Sequence, residues 1–195
     1  MGIGEARNPE PFTLEQRMLE AARQGDHTTI ERALDRGVSL EAKDDIGRSA
    51  AFLAVLDAGN LDLLHWLHDK GAAVDQPDNG GRTALSFAAA AGRLDIVTYL
   101  VENGAVVDRR DVQQRTALFH AALGDQRAVV VFLLDHGADV NARDQFGDTP
   151  LIVACAKGYA DTAAILSAEG ADAQLKDQEG RTARDRAAAG VCGRN

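Results

Sequence analysis

His65 and His68 stand three residues apart with Asp62 and Asp69 on either side, a spacing that could offer two metal ligands from one helix face. No other histidine, cysteine or carboxylate cluster converges on them along the chain, and His65 is expected to face solvent, so no metal and no cofactor is predicted. The two cysteines, Cys155 and Cys192, lack metal-ligand spacing and are too few for a disulfide scaffold. Cys155 reads as a small core residue and Cys192 as an exposed thiol. A nucleophile needs a base and a group to orient that base, and no such set is legible; no phosphate-cradling loop with GKS or GKT occurs. The chain is therefore expected not to be an enzyme, and its chemistry is expected to be recognition.

The charge of −9 and pI near 5.0 exclude non-specific binding to nucleic acid or to an anionic membrane surface, which needs a basic excess. The opening MGIGEARNPEPFTLEQ has no apolar run that would read as a secretory signal, and no stretch approaches the 18 apolar residues of a membrane span. With two cysteines a reducing compartment is the default, and a cytoplasmic location and a monomer are expected. Alanine is abundant and aromatics are only 5%, which suggests close-packed helices.

What positions the recognition residues is a repeat. Gly47, Gly81, Gly147 and Gly180 recur at intervals of 33 or 34 residues, with Gln114 in the fifth place of the column. Ser49, Thr83, Thr116, Thr149 and Thr182 follow two residues later, and Gly37, Gly71, Gly104, Gly137 and Gly170 form another column. A period this regular marks a repeat architecture. In each unit Ser or Thr reads as a helix N-cap, Pro150 sits at a first helical position, an alanine-rich helix follows, and Gly92 or Gly158 closes it. A second helix such as LDIVTYLVEN then carries apolar residues at i, i+3 and i+4, and ends before a glycine suited to the left-handed conformation. Trp66, Tyr99, Phe132 and Ile165, 33 residues apart, read as one stacked core column of the second helices.

DQFGDTPLIVACAKGYADTAAILSAEGADAQLKD and DNGGRTALSFAAAAGRLDIVTYLVENGAVVDRRD resemble ankyrin repeats, and the resemblance covers about residues 12 to 190. It implies an all-α ankyrin-repeat solenoid of stacked helix-turn-helix units joined by β-hairpin or loop connections. A flexible tail over 1–11 precedes units 14–46, 47–80, 81–113, 114–146 and 147–179. A truncated cap over 180–190 and a tail over 191–195 follow. The family's usual histidine after TPL is absent; Phe52, Ser86, Phe119 and Ile152 stand there. The second unit carries an extra residue before Gly59, predicting a distorted turn.

The resemblance also implies a binding surface on the hairpin tips and the exposed face of the first helices. Carried over column by column, it comprises Lys43, Asp45, Ile46 and Arg48; Asn79 and Arg82; Arg110, Val112, Gln113 and Arg115; Arg143, Gln145, Phe146 and Asp148; and Lys176, Gln178 and Arg181. Val55, Leu56, Ala90, Ala91, Leu123, Ala156 and Lys157 are the neighbouring helix positions. The hairpins hold eight basic and eight acidic residues, so the excess of acid lies elsewhere, among 13 basic and 22 acidic residues. If the family's aspartate column (Asp44, Asp78, Asp111, Asp144, Asp177) holds the turns, the outward display is rich in Arg and suits a partner with carboxylates. Ile46, Val112 and Phe146 are apolar at tips and are expected contact points, Phe146 foremost. The function expected is protein binding. Its forms are an adaptor, a stand-alone inhibitor or immunity-type protein that caps a cognate enzyme or toxin, or an effector engaging another cell's proteins. The short tails favour the stand-alone inhibitor over a scaffold that recruits several proteins.

Overall fold

The computed structural model describes residues 12–56 and 59–187. Within them the chain forms α1 (Leu14–Gln24), α2 (His27–Leu34), α3 (Ala50–Leu56), α4 (Leu61–Asp69), α5 (Ala84–Ala91), α6 (Leu94–Glu102), α7 (Ala117–Leu123), α8 (Arg127–Asp135), α9 (Pro150–Lys157), α10 (Ala160–Ala168) and α11 (Ala183–Arg186). The odd-numbered helices stack in one row, α1 on α3, then α5, α7, α9 and α11; α6, α8 and α10 stack in a second. Tight turns join α1 to α2, α5 to α6, α7 to α8 and α9 to α10, and each pair is joined to the next by a loop with a protruding tip. The tips are minimal: a single antiparallel bridge, Lys43 to Ser49, is their only sheet-like rung among the described residues.

Local chemistry sets the helix ends. The side chains of Thr13, Thr83, Thr116, Thr149 and Thr182 each accept a hydrogen bond from the backbone N–H three residues on, satisfying a donor the helix itself leaves orphaned. Asp26 and Asn60 do the same for α2 and α4, whereas α6, α8 and α10 start without a side-chain cap.

Burial between the rows holds the stack. Leu63, Leu64 and Leu67 of α4, Ile96 and Leu100 of α6, and Leu133 of α8 are fully buried, each stabilising the fold by about 2 kcal/mol. They share one apolar core with Leu53, Leu85 and Leu118 of the first helices. Buried alanines such as Ala88, Ala89, Ala121, Ala122 and Ala154 let neighbouring first helices approach closely.

Two expected placements are revised. Val55 is buried at 5% exposure, because residues 50–55 of the wholly apolar α3 all face the core, so it is not a surface residue. The Trp66–Tyr99–Phe132–Ile165 column is half-buried, not internal. The leucine and isoleucine stripe of the second helices takes the core-facing positions, and the aromatic column lies at its margin. The extra residue of the second unit falls beside residues 57 and 58, which lie outside the described residues, as do the tails over 1–11 and 191–195.

Candidate interaction surface

Each tip is built around an aspartate. Oδ1 of Asp44 accepts from the N–H groups of Ile46 (3.1 Å) and Arg48 (2.9 Å), and Asp78, Asp111, Asp144 and Asp177 repeat the pattern two and four residues on. This local bonding is what short acidic side chains do best in turns. The second oxygen takes a guanidinium: Arg48 lies 2.7 Å from Asp44, Arg82 2.8 Å from Asp78 and Arg181 2.9 Å from Asp177.

The third and fourth tips depart from this rule. His120 Nε2 sits 3.0 Å from Asp111 Oδ2, occupying the oxygen that Arg115 would take. Arg115 turns instead to Asp144 of the next unit, at 3.3 Å, and its guanidinium lies over the Phe119 ring at 5.0 Å. Asp148 stands where the other tips have Arg, and Arg186 from the capping helix lies 3.2 Å from it and 2.8 Å from Asp177. Burial lowers the His120 pKa below the ordinary histidine range, with Arg115 and Arg82 adding to the depression and Asp111 opposing it. Burial raises the Asp177 carboxyl, but the N–H groups of Arg181 and Glu179 and the guanidinia of Arg186 and Arg181 outweigh it and hold the pKa well below the carboxylate range. Burial raises the Asp148 carboxyl, against the pull of Arg186.

A second cationic row staples neighbouring tips. Lys43 Nζ donates to the Pro77 carbonyl (3.1 Å), Arg110 to that of Arg143 (2.8 Å) and Arg143 to that of Lys176 (2.5 Å). Backbone bonds run alongside: Asn79 N–H to Ile46 O, Val112 to Gly80, Gln145 to Gln113 and Gln178 to Phe146, at 2.8–2.9 Å. Asn79 and Gln178 side chains add bonds to the carbonyls of Asp45 and Gln145. The tips therefore form one continuous bonded ridge.

Most of the cations expected on the outward display thus have partners within the chain. Arg48 and Arg115 side chains are only 15% and 22% exposed, whereas Arg82 and Arg181 keep 42% and 40% and still present an outer edge. Lys43, Arg110, Arg143 and Lys176 are exposed, as are Asp45, Asn79, Gln145 and Gln178, while Gln113 and Asp148 are half-buried. The apolar tips stand out in water: Ile46 is 45%, Val112 66% and Phe146 51% exposed. Along the first helices Ala90, Ala91 and Lys157 are exposed, and Leu56, Leu123 and Ala156 half-buried.

The ridge continues into a region that the column-by-column reading missed. A cleft of about 740 Å³ lies between α1 and the first tip, lined by Phe12, Glu15, Leu19, Glu20, Lys43 and Asp45 among others. Its only signal in the sequence is the polar side of α1, which reads equally as an end cap.

The residues weighed for other chemistry find structural places. His65 stacks on Tyr99 with ring centroids 4.0 Å apart, and His68 Nδ1 is 2.7 Å from the Tyr99 hydroxyl. Among the described residues no three His, Cys, Asp or Glu side chains are grouped to hold a metal. Cys155 is fully buried, so it is no available nucleophile, and Cys192 lies outside the described residues. Among the described residues no helix is long and apolar enough to cross a membrane.

Comparison with known families now adds to this geometry. The profile described as ankyrin repeats (3 copies) matches residues 18–111, 52–144 and 118–192. The chain belongs to the ankyrin-repeat family. Its architecture is an all-α ankyrin-repeat solenoid, and ankyrin repeats generally serve as protein–protein interaction modules and are typically non-enzymatic. Comparison with curated proteins finds no match.

Proposed function

We propose that this ankyrin solenoid binds a partner protein along the tip ridge and the adjoining first-helix face, with Ile46, Val112 and Phe146 as its apolar anchors. The observation that supports this reading is the exposure of these three side chains on a backbone that is hydrogen-bonded from one tip to the next. Large apolar side chains set among polar ones mark contact surfaces. A ridge ordered before contact loses little conformational entropy on binding, so burial of the anchors converts more fully into affinity. A partner carboxylate would meet the exposed outer edge of Arg82, whose inner edge is held by Asp78, whereas Arg181 is already shared between Asp177 and Glu179.

The test is capture from a lysate of the protein's own source, wild type beside Val112→Ser/Phe146→Ala. Neither side chain has a role in closing its turn, so circular dichroism and the unfolding midpoint are expected to match wild type. Loss of two anchors is expected to weaken a partner's binding by about 30-fold or more. A partner held equally by both proteins would overturn the ridge as the contact surface. Measuring that partner's own activity with and without the solenoid separates an inhibitor from an adaptor.

A further inference from the structure

We infer that the outer face of the second helices is a separate docking surface, and that it fits a basic amphipathic helix of another protein. Positions i, i+3, i+4 and i+7 of a helix share one face. On α4 these are Asp62, His65, Trp66 and Asp69; on α6, Asp95, Thr98, Tyr99 and Glu102; on α8, Ala128, Val131, Phe132 and Asp135; on α10, Asp161, Ala164, Ile165 and Ala168. Stacking the four helices turns these into columns. The two middle columns form a strip of half-exposed rings and aliphatic groups: Trp66, Tyr99, Phe132 and Ile165 are half-buried and Val131 is 42% exposed. The outer columns form two carboxylate rails. Asp62, Asp95 and Asp161 lie along one side and Asp69, Glu102 and Asp135 along the other, all exposed.

The rails are open. Asp95 has Arg93 at 3.6 Å and Asp161 has Arg127 at 2.6 Å, but Asp62, Asp69, Glu102 and Asp135 make no ion pair among the described residues. The strip takes cations as well as apolar groups, since Lys70 Nζ already lies 5.2 Å over the Trp66 ring. The dimensions select the occupant. Seven residues of helix rise about 10.5 Å, which sets the gap between the rails, and an α-helix with its side chains is about 10–12 Å across. A helix lying along the strip would place an apolar face on the rings and Lys or Arg on each flank against a rail. The same rails repel phosphate, so nucleic acid and anionic lipid are excluded. The surface is independent of the tip ridge, from which it is separated by the first-helix row.

Trp66 is the only tryptophan and lies on the strip, so it reports docking directly. The probe is a synthetic peptide of about 18 residues, Leu on one face and Lys and Arg on its flanks, without tryptophan. The control has the same composition in an order without helical periodicity. The expected result is a blue shift of Trp66 emission on adding the probe. The control, and the probe against Asp62→Asn/Asp69→Asn/Glu102→Gln/Asp135→Asn, are expected to bind about tenfold more weakly at physiological salt. Val112→Ser/Phe146→Ala is expected to bind the probe as wild type does. Absence of a Trp66 response, equal binding of the two peptides, an unaffected rail variant, or loss of binding in the tip variant would each overturn the inference.

Discussion

The tip ridge and the outer helix face are made by the same repeat and carry charge in opposite ways. On the ridge most formal charges are engaged: aspartates close the turns, guanidinia neutralise most of them, and Lys43, Arg110 and Arg143 staple every tip to the next except the second to the third. Among the exposed polar groups the ridge leaves three large apolar side chains outward, Ile46, Val112 and Phe146. On the outer face four exposed carboxylates have no internal ion pair among the described residues, and the apolar groups are half sunk between them. A count of charges would assign the cationic partner-binding role to the ridge. The geometry instead makes the ridge's charges architectural and leaves the acidic face as the one with electrostatic reach.

This contrast breaks most visibly at Asp144. Its carboxylate is fully buried and accepts the N–H groups of Phe146 (2.8 Å) and Asp148 (3.0 Å) as well as Arg115 at 3.3 Å. Asp144→Ala leaves those donors without a partner and is expected to cost about 3 kcal/mol in urea unfolding. Asp135→Asn on the outer face is expected to change stability by less than about 0.5 kcal/mol. Equal costs would erase the distinction between the two faces.

A smaller effect sharpens the account of the ridge. Gln114 holds φ at +62° where the matching tips have glycine. A non-glycine residue there strains its Cβ against the following carbonyl, so Gln114→Gly is expected to stabilise by about 1 kcal/mol, read from the same unfolding curves. No gain would mean that the lost chain entropy of glycine offsets the relief.

The smallest effect is in pH dependence. His120 has a folded pKa below the unfolded value, so the fold takes up its proton less readily than the unfolded chain does. Its contribution is present above the ordinary histidine pKa of about 6.5 and is lost as pH falls through the depressed value. Asp177 acts in the same direction further into acid. His120→Phe, which places there the residue that Phe87 supplies one unit earlier, is expected to flatten the fall in stability on the acid side of pH 6.5. An unchanged slope would remove His120 from the pH response.

The helix caps and the positive-φ glycine columns were legible in the sequence because each rests on one residue type acting on its immediate neighbours. Thr149 satisfies the N–H of Ile152, and Gly147 takes φ of +81°. The engagement of the arginines was not legible, since segment-wise counting of charges cannot show that Arg115 crosses to Asp144 because His120 holds Asp111. Periodicity correctly put Trp66, Tyr99, Phe132 and Ile165 in one column. It could not tell the centre of a buried stripe from its margin, where three of the four carry a histidine ring against them. Val55 misled for a related reason: α3 is apolar all round, so its sequence marks no outward side.

Pro77 occupies the position from which Lys43, Arg110 and Arg143 reach forward to the next tip, and proline has no side chain that can reach. Between the second and third tips the Val112–Gly80 backbone bond therefore runs without the cationic staple its neighbours have, with the Arg109–Asp75 pair at its base. In mechanical terms the ridge is a beam with one joint left unriveted. Flexing of the ridge is therefore expected to be easiest at that joint, with Ile46 carried by the first two units and Val112 and Phe146 by the rest.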